Sequence, residues 1–148
     1  MKTSIHSISG AFLLLSVTLT LFSFSSCNKQ DELQTLADKV WEFAQTRPDG
    51  FTLKLSDFSE PDFGIAVAYK ATQNCNTRES IPTVIKHAQE HDGYVGGWLD
   101  TGSGLLYFGS TKLFPEDERD AAIAFGKENS QQSAYVLSTG EFIDLTED

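Results

Sequence analysis

Basic residues are scarce in this sequence. Its 148 residues contain 11 Lys and Arg against 21 Asp and Glu, which gives a formal net charge of −10 at pH 7. A protein that binds nucleic acid needs a basic face to neutralise phosphates. The charge therefore argues against nucleic acid as a partner, and it favours a domain that stays soluble and away from anionic lipid.

Several catalytic signatures are also missing. The dinucleotide pattern G-x-G-x-x-G, the phosphate loop G-x-x-x-x-G-K-[ST] and the nucleophile elbow G-x-S-x-G do not occur. Gly96-Gly97 before Trp98 is better explained by a β-bulge or a close backbone approach than by a phosphate site. No pair of acidic residues stands out as a glycosidase dyad. These patterns give no reason to expect a cofactor.

Long apolar runs are confined to the N-terminus. Lys2 is followed by an apolar stretch from Ile8 to Phe24, which only Ser, Thr and Gly10 interrupt. This is the pattern of a secretory signal. The stretch is too short and too rich in hydroxyl residues for a membrane span, which needs roughly 20 predominantly apolar residues. We predict a signal peptide over residues 1–26.

The string Phe24-Ser25-Ser26-Cys27 places small residues directly before a cysteine. It resembles the lipobox of bacterial lipoproteins, with Phe24 where Leu is usual. The resemblance implies cleavage between Ser26 and Cys27 and acylation of Cys27, which would become the first residue. Each buried methylene contributes ~0.8 kcal/mol, and several acyl chains together give firm anchoring in the membrane. The alternative is an ordinary signal peptide with a chance cysteine.

Residues 27–32 would then form a lipidated tether. The segment from Lys29 to Glu32 resembles the charged tether that directs Bacteroidota lipoproteins to the cell surface. This resemblance implies lipid anchoring in the outer membrane, at the cell surface or on the periplasmic face. The mature chain would carry ten basic and 21 acidic residues, a net charge of −11.

The sequence has two cysteines, and lipidation of Cys27 would leave Cys75 as the one with a free thiol. The domain would then have no internal disulfide. Its stability must then come from its hydrophobic core. The neighbouring residues 73–78 supply one Arg and no His, whereas a reactive thiol needs an electropositive setting. We expect an inert, part-buried or loop-placed Cys75.

The 122 residues after Ser26 suit a single domain. Apolar spacing predicts helices from Asp31 to Gln45 and from a Ser80 cap to about His91, and a third helix that Pro115 opens.

Strands are predicted at Phe51–Leu55, with one face exposed to water, and at Ile65–Tyr69, which is more fully buried. A loop from Ser56 to Phe63 connects them. Two hairpins complete the pattern, at Tyr94–Asp100 with Leu105–Ser110 and at Ala134–Leu137 with Phe142–Leu145. The order αββαββαββ predicts one α+β domain over residues 33–148, with a mainly antiparallel sheet.

The sharpest chemical motif is His87-Ala88-Gln89-Glu90-His91. It matches the H-x-x-E-H pattern of inverzincin metalloproteases, in which two histidines bind zinc and the glutamate is the general base. That family also needs a third ligand far downstream and a larger domain. On this helix the histidines lie on the flank of the apolar stripe, and Glu90 points away from the core. The simpler interpretation is a solvated helix flank.

Aromatic residues concentrate on the first hairpin, at Tyr94, Trp98, Tyr107 and Phe108. We expect these rings to pack mostly in the core. If the face that carries Tyr94 and Trp98 is exposed, it is the best candidate for a binding surface, because exposed rings can stack on a sugar or grip a protein.

Two hypotheses follow. The favoured one is a non-enzymatic, lipid-anchored binding module for a protein or glycan partner, with Tyr94, Trp98 and Tyr107 at its surface. The alternative is a small metal-dependent hydrolase that uses His87, Glu90 and His91. Residues 64–74 and 96–114 also resemble short uncharacterised Bacteroidota proteins, but that resemblance implies no activity.

Overall fold

The computed structural model describes residues 21–146, with side chains from Asn28 onward. Apart from the backbone of residues 21–27, the predicted signal peptide and the side chain of Cys27 lie outside this part of the chain. The described residues form three α-helices and six strands in the order αββαββαββ. This confirms the predicted α+β class and the predicted order of elements.

The helices are α1 (Leu21–Gln45), α2 (Ile81–Gln89) and α3 (Arg119–Glu128). The strands are β1 (Gly50–Lys54), β2 (Ile65–Ala68), β3 (Tyr94–Asp100), β4 (Leu105–Phe114), β5 (Ser133–Val136) and β6 (Glu141–Asp144). Short 3-10 turns occur at Lys70–Thr72, Arg78–Ser80 and Glu116–Glu118.

The six strands form one antiparallel sheet in the order β1-β3-β4-β2-β5-β6. The predicted hairpin of β3 and β4 is confirmed, with continuous pairing from Tyr94 opposite Thr111 to Asp100 opposite Leu105. Because this register is uninterrupted, the expected bulge at Gly96-Gly97 does not occur. Strand β4 continues beyond the hairpin and pairs with β2 through its last four residues.

All three helices pack on one face of the sheet. Alternate residues of a strand point to opposite faces, so Phe108 and Phe114 of β4 share the helix-covered face. Two apolar clusters lie there. One, between β1, β3 and β4 and helices α1 and α2, includes Val40, Leu53, Ile85, Val95 and Phe108. The other, between α3 and strands β2, β5 and β6, includes Ile65, Val67, Ala122, Val136 and Ile143.

Helix α1 begins ten residues before the predicted start at Asp31. Residues 28–32 are polar, exposed and compatible with a helix, so no apolar stripe marks them in the sequence. Among the described residues, none of the helices combines the length and apolar character that a membrane span requires.

The ends of α2 also differ from the prediction. Ser80 precedes the helix but makes no side-chain cap to it. Its Oγ instead donates to the Thr77 carbonyl at 2.6 Å and accepts the Thr77 N–H at 3.2 Å, which stabilises the preceding 3-10 turn. The helix ends at Gln89, before the predicted His91. Gly93, with φ of +79°, donates its N–H to the carbonyl of Ala88 at 2.8 Å and closes the terminus.

Pro115 opens the 3-10 turn Glu116–Glu118, and α3 itself starts only at Arg119. The Glu116 carboxylate accepts the N–H of Gly64 at 3.1 Å. The Ser138 hydroxyl and the Gly64 amide lower the pKa of Glu116. The Glu116 carboxylate therefore holds the start of β2.

Gly97 allows an aromatic ring to pack closely against the sheet. The ring of Phe51 occupies the position above Gly97, where an added Cβ would approach ring carbon Cε1 to 2.3 Å. The same ring contacts Phe43 at 5.3 Å and Phe108 at 6.4 Å between centroids. The close approach predicted at this glycine is thus made by a side chain.

We expect Gly97→Ala to lower the free energy of unfolding by about 1–3 kcal/mol, because the new methyl group overpacks a ring that its neighbours prevent from moving. The matched control is Gly102→Ala in the same hairpin. Its Cβ would lie 3.4 Å from Asp100 Oδ1, an ordinary contact. Urea denaturation of both variants measures the difference, and equal stability of the two would contradict this account of the packing.

Candidate functional site

The face of the sheet opposite the helices forms a concave groove with a volume of about 1160 Å³. Small residues of β1 to β4 form its floor, and the loops around residues 60–63 and 130–133 line its sides. The floor residues are Thr52, Ala66, Ala68, Gly96, Gly109 and Thr111. Their small size leaves the space that larger side chains would fill.

Thr52 corrects one prediction. The alternation in β1 predicts a wet face for this residue, yet Thr52 is only 7% exposed. It lies at the bottom of the groove opposite Gly96, and the groove walls shield it. Local alternation assigned the correct face, but it could not show that this face is concave.

Gly96 keeps the floor open. A Cβ at this position would lie 2.7 Å from the Oγ1 of Thr111, which is the diagonal neighbour of Gly96 on β4. That hydroxyl donates to the carbonyl of Gly109 at 3.2 Å. Gly96 and Gly97 therefore have separate roles on the two faces of one strand.

Trp98 and Tyr107 lie side by side at one end of the groove. They are cross-strand partners, and their ring centroids are 6.2 Å apart. Trp98 is 45% exposed, so the expectation that these rings are mostly core is wrong for it. Phe108, on the opposite face, is core at 2% exposure. Tyr94 is half-buried and does not line the groove, so only two of the three predicted binding residues come together there.

A second aromatic pair lies at the other end of the groove, and the sequence analysis missed it. Tyr135 and Phe142 are cross-strand partners with centroids 4.8 Å apart. Phe142 is 59% exposed, and Phe63 in the adjoining wall is 73% exposed. The predicted closing hairpin contained this pair. What the sequence did not show is that β5 lies beside β2, which brings the pair to the groove.

The His87, Glu90 and His91 motif lies on the other side of the sheet, and none of its residues lines the groove. The two imidazoles stack in parallel at 3.9 Å, and both contact Tyr69. Tyr69 in turn packs against Phe125 of α3 and donates its hydroxyl to Asp92. Burial raises the pKa of Tyr69, and so does the hydrogen bond that its hydroxyl donates to the Asp92 carboxylate. The histidines therefore pack against Tyr69, and Tyr69 connects them to α3 through Phe125.

The motif is not assembled as a zinc site. Nδ1 of His91 lies 2.7 Å from the carbonyl oxygen of His87, and Glu90 is an exposed residue at the end of α2. Among the side chains that the structure describes, from Asn28 to Thr146, no three His, Cys, Asp or Glu residues gather as metal ligands. The hydrolase hypothesis thus gains no third ligand and no cleft from the described part of the chain.

Cys75 is a free, part-buried thiol beside the α1–α2 cluster. Its carbonyl accepts the N–H of Phe108 at 2.7 Å, which extends the pairing of β4 beyond the end of β2. This is the part-buried position that was predicted. The backbone of the residue, rather than its sulfur, makes the structural contact.

Comparison of the chain with protein-family models, with curated proteins and with solved structures finds no match. The groove is therefore the feature of the molecule that points to a function.

His87 is the more buried histidine of the pair, and its environment predicts that the stability of the domain depends on pH. Two effects lower the pKa of His87: its burial, which is the larger, and the charge of the neighbouring His91. The unfolded chain then binds a proton more readily than the folded one below about pH 6.5, so the folded state loses stability as the pH falls through that region. We expect the loss of unfolding free energy between pH 7.5 and 5.5 to be smaller in His87→Gln than in the wild type.

Chemical denaturation at both pH values measures this loss, and the comparison between pH values removes any constant packing defect of the variant. Lys86→Gln, on the same helix, should keep the wild-type pH dependence. An unchanged loss in His87→Gln would show that His87 does not cause it.

Proposed function

We propose that this chain is a lipid-anchored, exported, non-enzymatic domain that binds a protein or glycan partner in the groove of its open sheet face. The observation that carries the proposal is the pairing of an open, small-residue floor with exposed rings at both ends. Exposed apolar patches of this kind mark interaction surfaces on soluble domains. The groove also has the mixed apolar and polar lining of binding sites.

The groove does not contain the residues of the catalytic motif that the sequence suggested. Its lining has neither His nor Cys, and the only motif with catalytic precedent lies on the opposite face. Polar side chains along the rim, including Gln73, Asn74 and Gln132, can donate and accept hydrogen bonds. Such a surface orients and holds a ligand, which supports the binding hypothesis over the hydrolase.

The lipid anchor at Cys27 is proposed from the sequence pattern. The exposed polar residues from Asn28 to Glu32 agree with a spacer between a membrane and the domain. Anchoring in the outer membrane, at the cell surface or on the periplasmic face, would present the groove to large molecules outside the cytoplasm.

Lipidation predicts a clear partition. We expect the wild-type protein from cells to enter the detergent phase of a Triton X-114 separation, and mass spectrometry to find an acylated N-terminal peptide. Cys27→Ala should remain in the aqueous phase, because the acyl chains supply the apolar surface. Cys75→Ala is the matched control and should partition like the wild type. Aqueous wild-type protein would remove the anchor from the proposal.

Binding in the groove predicts dependence on Trp98. On glycan and peptide arrays, we expect Trp98→Ala to lose signals that the wild type shows, by about tenfold or more, because central aromatic rings dominate interface energies. Leu105→Ala removes another exposed apolar side chain, 43% exposed at the hairpin tip and outside the groove. It should bind like the wild type. Equal binding by both variants would place the interaction elsewhere.

A further inference from the structure

The charge of the groove selects among possible ligands. Four carboxylates line it, those of Asp49, Glu60, Asp62 and Asp100, and its lining contains no Lys or Arg. An anionic ligand would meet uncompensated negative charge there. Because like charges across an interface are costly and opposite charges steer association, the lining favours a cation.

Two of the four carboxylates already have partners. Glu60 forms an ion pair with Arg47 and accepts a hydrogen bond from its Nη2 at 2.7 Å. Asp100 accepts the N–H groups of Gly102 and Ser103 and the Ser103 hydroxyl, and these bonds lower its pKa. Both carboxylates thereby fix turns of the protein.

Asp49 and Asp62 differ from that pair. Both are exposed, and within residues 21–146 neither takes part in a hydrogen bond or an ion pair. They lie in the segments that flank β1 and β2, at the rim of the groove. Their charges are therefore free to meet a ligand.

The two aromatic pairs set the length of the ligand. Tyr107 lies six residues before Leu113 on β4, and Leu113 is level with Ala66 and Tyr135. At ~3.4 Å per residue, this places the two pairs roughly 20 Å apart along the strands. An extended peptide needs about six or seven residues to reach both. Rings at each end can also hold Lys or Arg side chains through cation–π contacts.

We propose that the groove binds an extended, basic peptide segment of a partner protein, about six or seven residues long. The inference deepens the proposed function and rests on it. Lys or Arg side chains of the segment pair with Asp49 and Asp62, and its backbone crosses the floor of small residues between the Trp98 and Tyr135 ends. The alternative ligand, a neutral glycan, would leave the surplus negative charge uncompensated.

The test is selection from a random octapeptide library on the immobilised wild-type domain, with counter-selection against Trp98→Ala. We expect the retained peptides to be enriched in Lys and Arg over Asp and Glu. For a selected peptide, the double variant Asp49→Asn with Asp62→Asn should bind about three- to tenfold more weakly, the effect of losing two rim charges. Added salt should weaken wild-type binding, since it screens exposed pairs. The double variant Asp117→Asn with Asp120→Asn removes two exposed carboxylates outside the groove. It is the charge-matched control and should bind like the wild type.

The inference fails if the selected peptides carry no excess of basic residues, or if the double variant at Asp49 and Asp62 binds as tightly as the control at Asp117 and Asp120. It also fails if the library yields no Trp98-dependent peptide while a neutral glycan binds the array in a Trp98-dependent way. In that last case the proposed function survives and only the ligand class is wrong. Absence of every Trp98-dependent signal, from peptides and glycans alike, removes the binding function as well.

Discussion

The structure depends on the alternation of side chains along β4. This ten-residue strand pairs with β3 over its first seven residues and with β2 over its last four, so it joins the two halves of the sheet. Phe108 and Phe114 point to one face and anchor the two apolar clusters under the helices. Tyr107, Gly109 and Thr111 point to the other face and form part of the groove. A slip of one residue would exchange these sets and destroy both faces together.

Covering only one face with helices gives the other face its character. The domain gains its stability from the helix side, where Leu53, Ile85 and Val95 are fully buried. The open side is then free of the packing demands of a core, and it carries small residues flanked by exposed rings. In the proposed function, its negative lining would add selectivity to that shape. Stability comes from one face of the sheet, and the proposed binding would use the other.

The sequence predicted most of the fold and about half of the candidate site. Helix and strand positions followed from apolar spacing, and the β3–β4 hairpin followed from alternation around a glycine-containing loop. Trp98 and Tyr107 were found because they share that hairpin. Tyr135, Phe142, Asp49 and Asp62 were missed, because they reach the groove only through the pairing of β2 with β5 and the path of the loops. These contacts join residues that are far apart in the sequence, so the local periodicity of apolar residues cannot predict them.

The motif of His87, Glu90 and His91 shows the opposite error, because here the sequence suggested a site that the fold does not assemble. Its spacing fits a metal site, but a spacing cannot show which face of the sheet it occupies. Tyr69 contacts both histidines and also packs against Phe125 of α3, so the histidines belong to a packed aromatic contact and not to an open site. The groove residues match no familiar pattern, yet their shape, exposure and charge make them the stronger candidate.

The most direct measurement of the central claim is an amide NMR titration of the domain, from Asn28 onward, with the tightest-binding array component. The account predicts shifts that concentrate on the open face, at Thr52, Ala68, Gly96, Gly109 and Tyr135, while amides of α2 and α3 stay unchanged. Shifts confined to the helices, around His87 and His91, would contradict it and place the functional surface on the other side of the sheet.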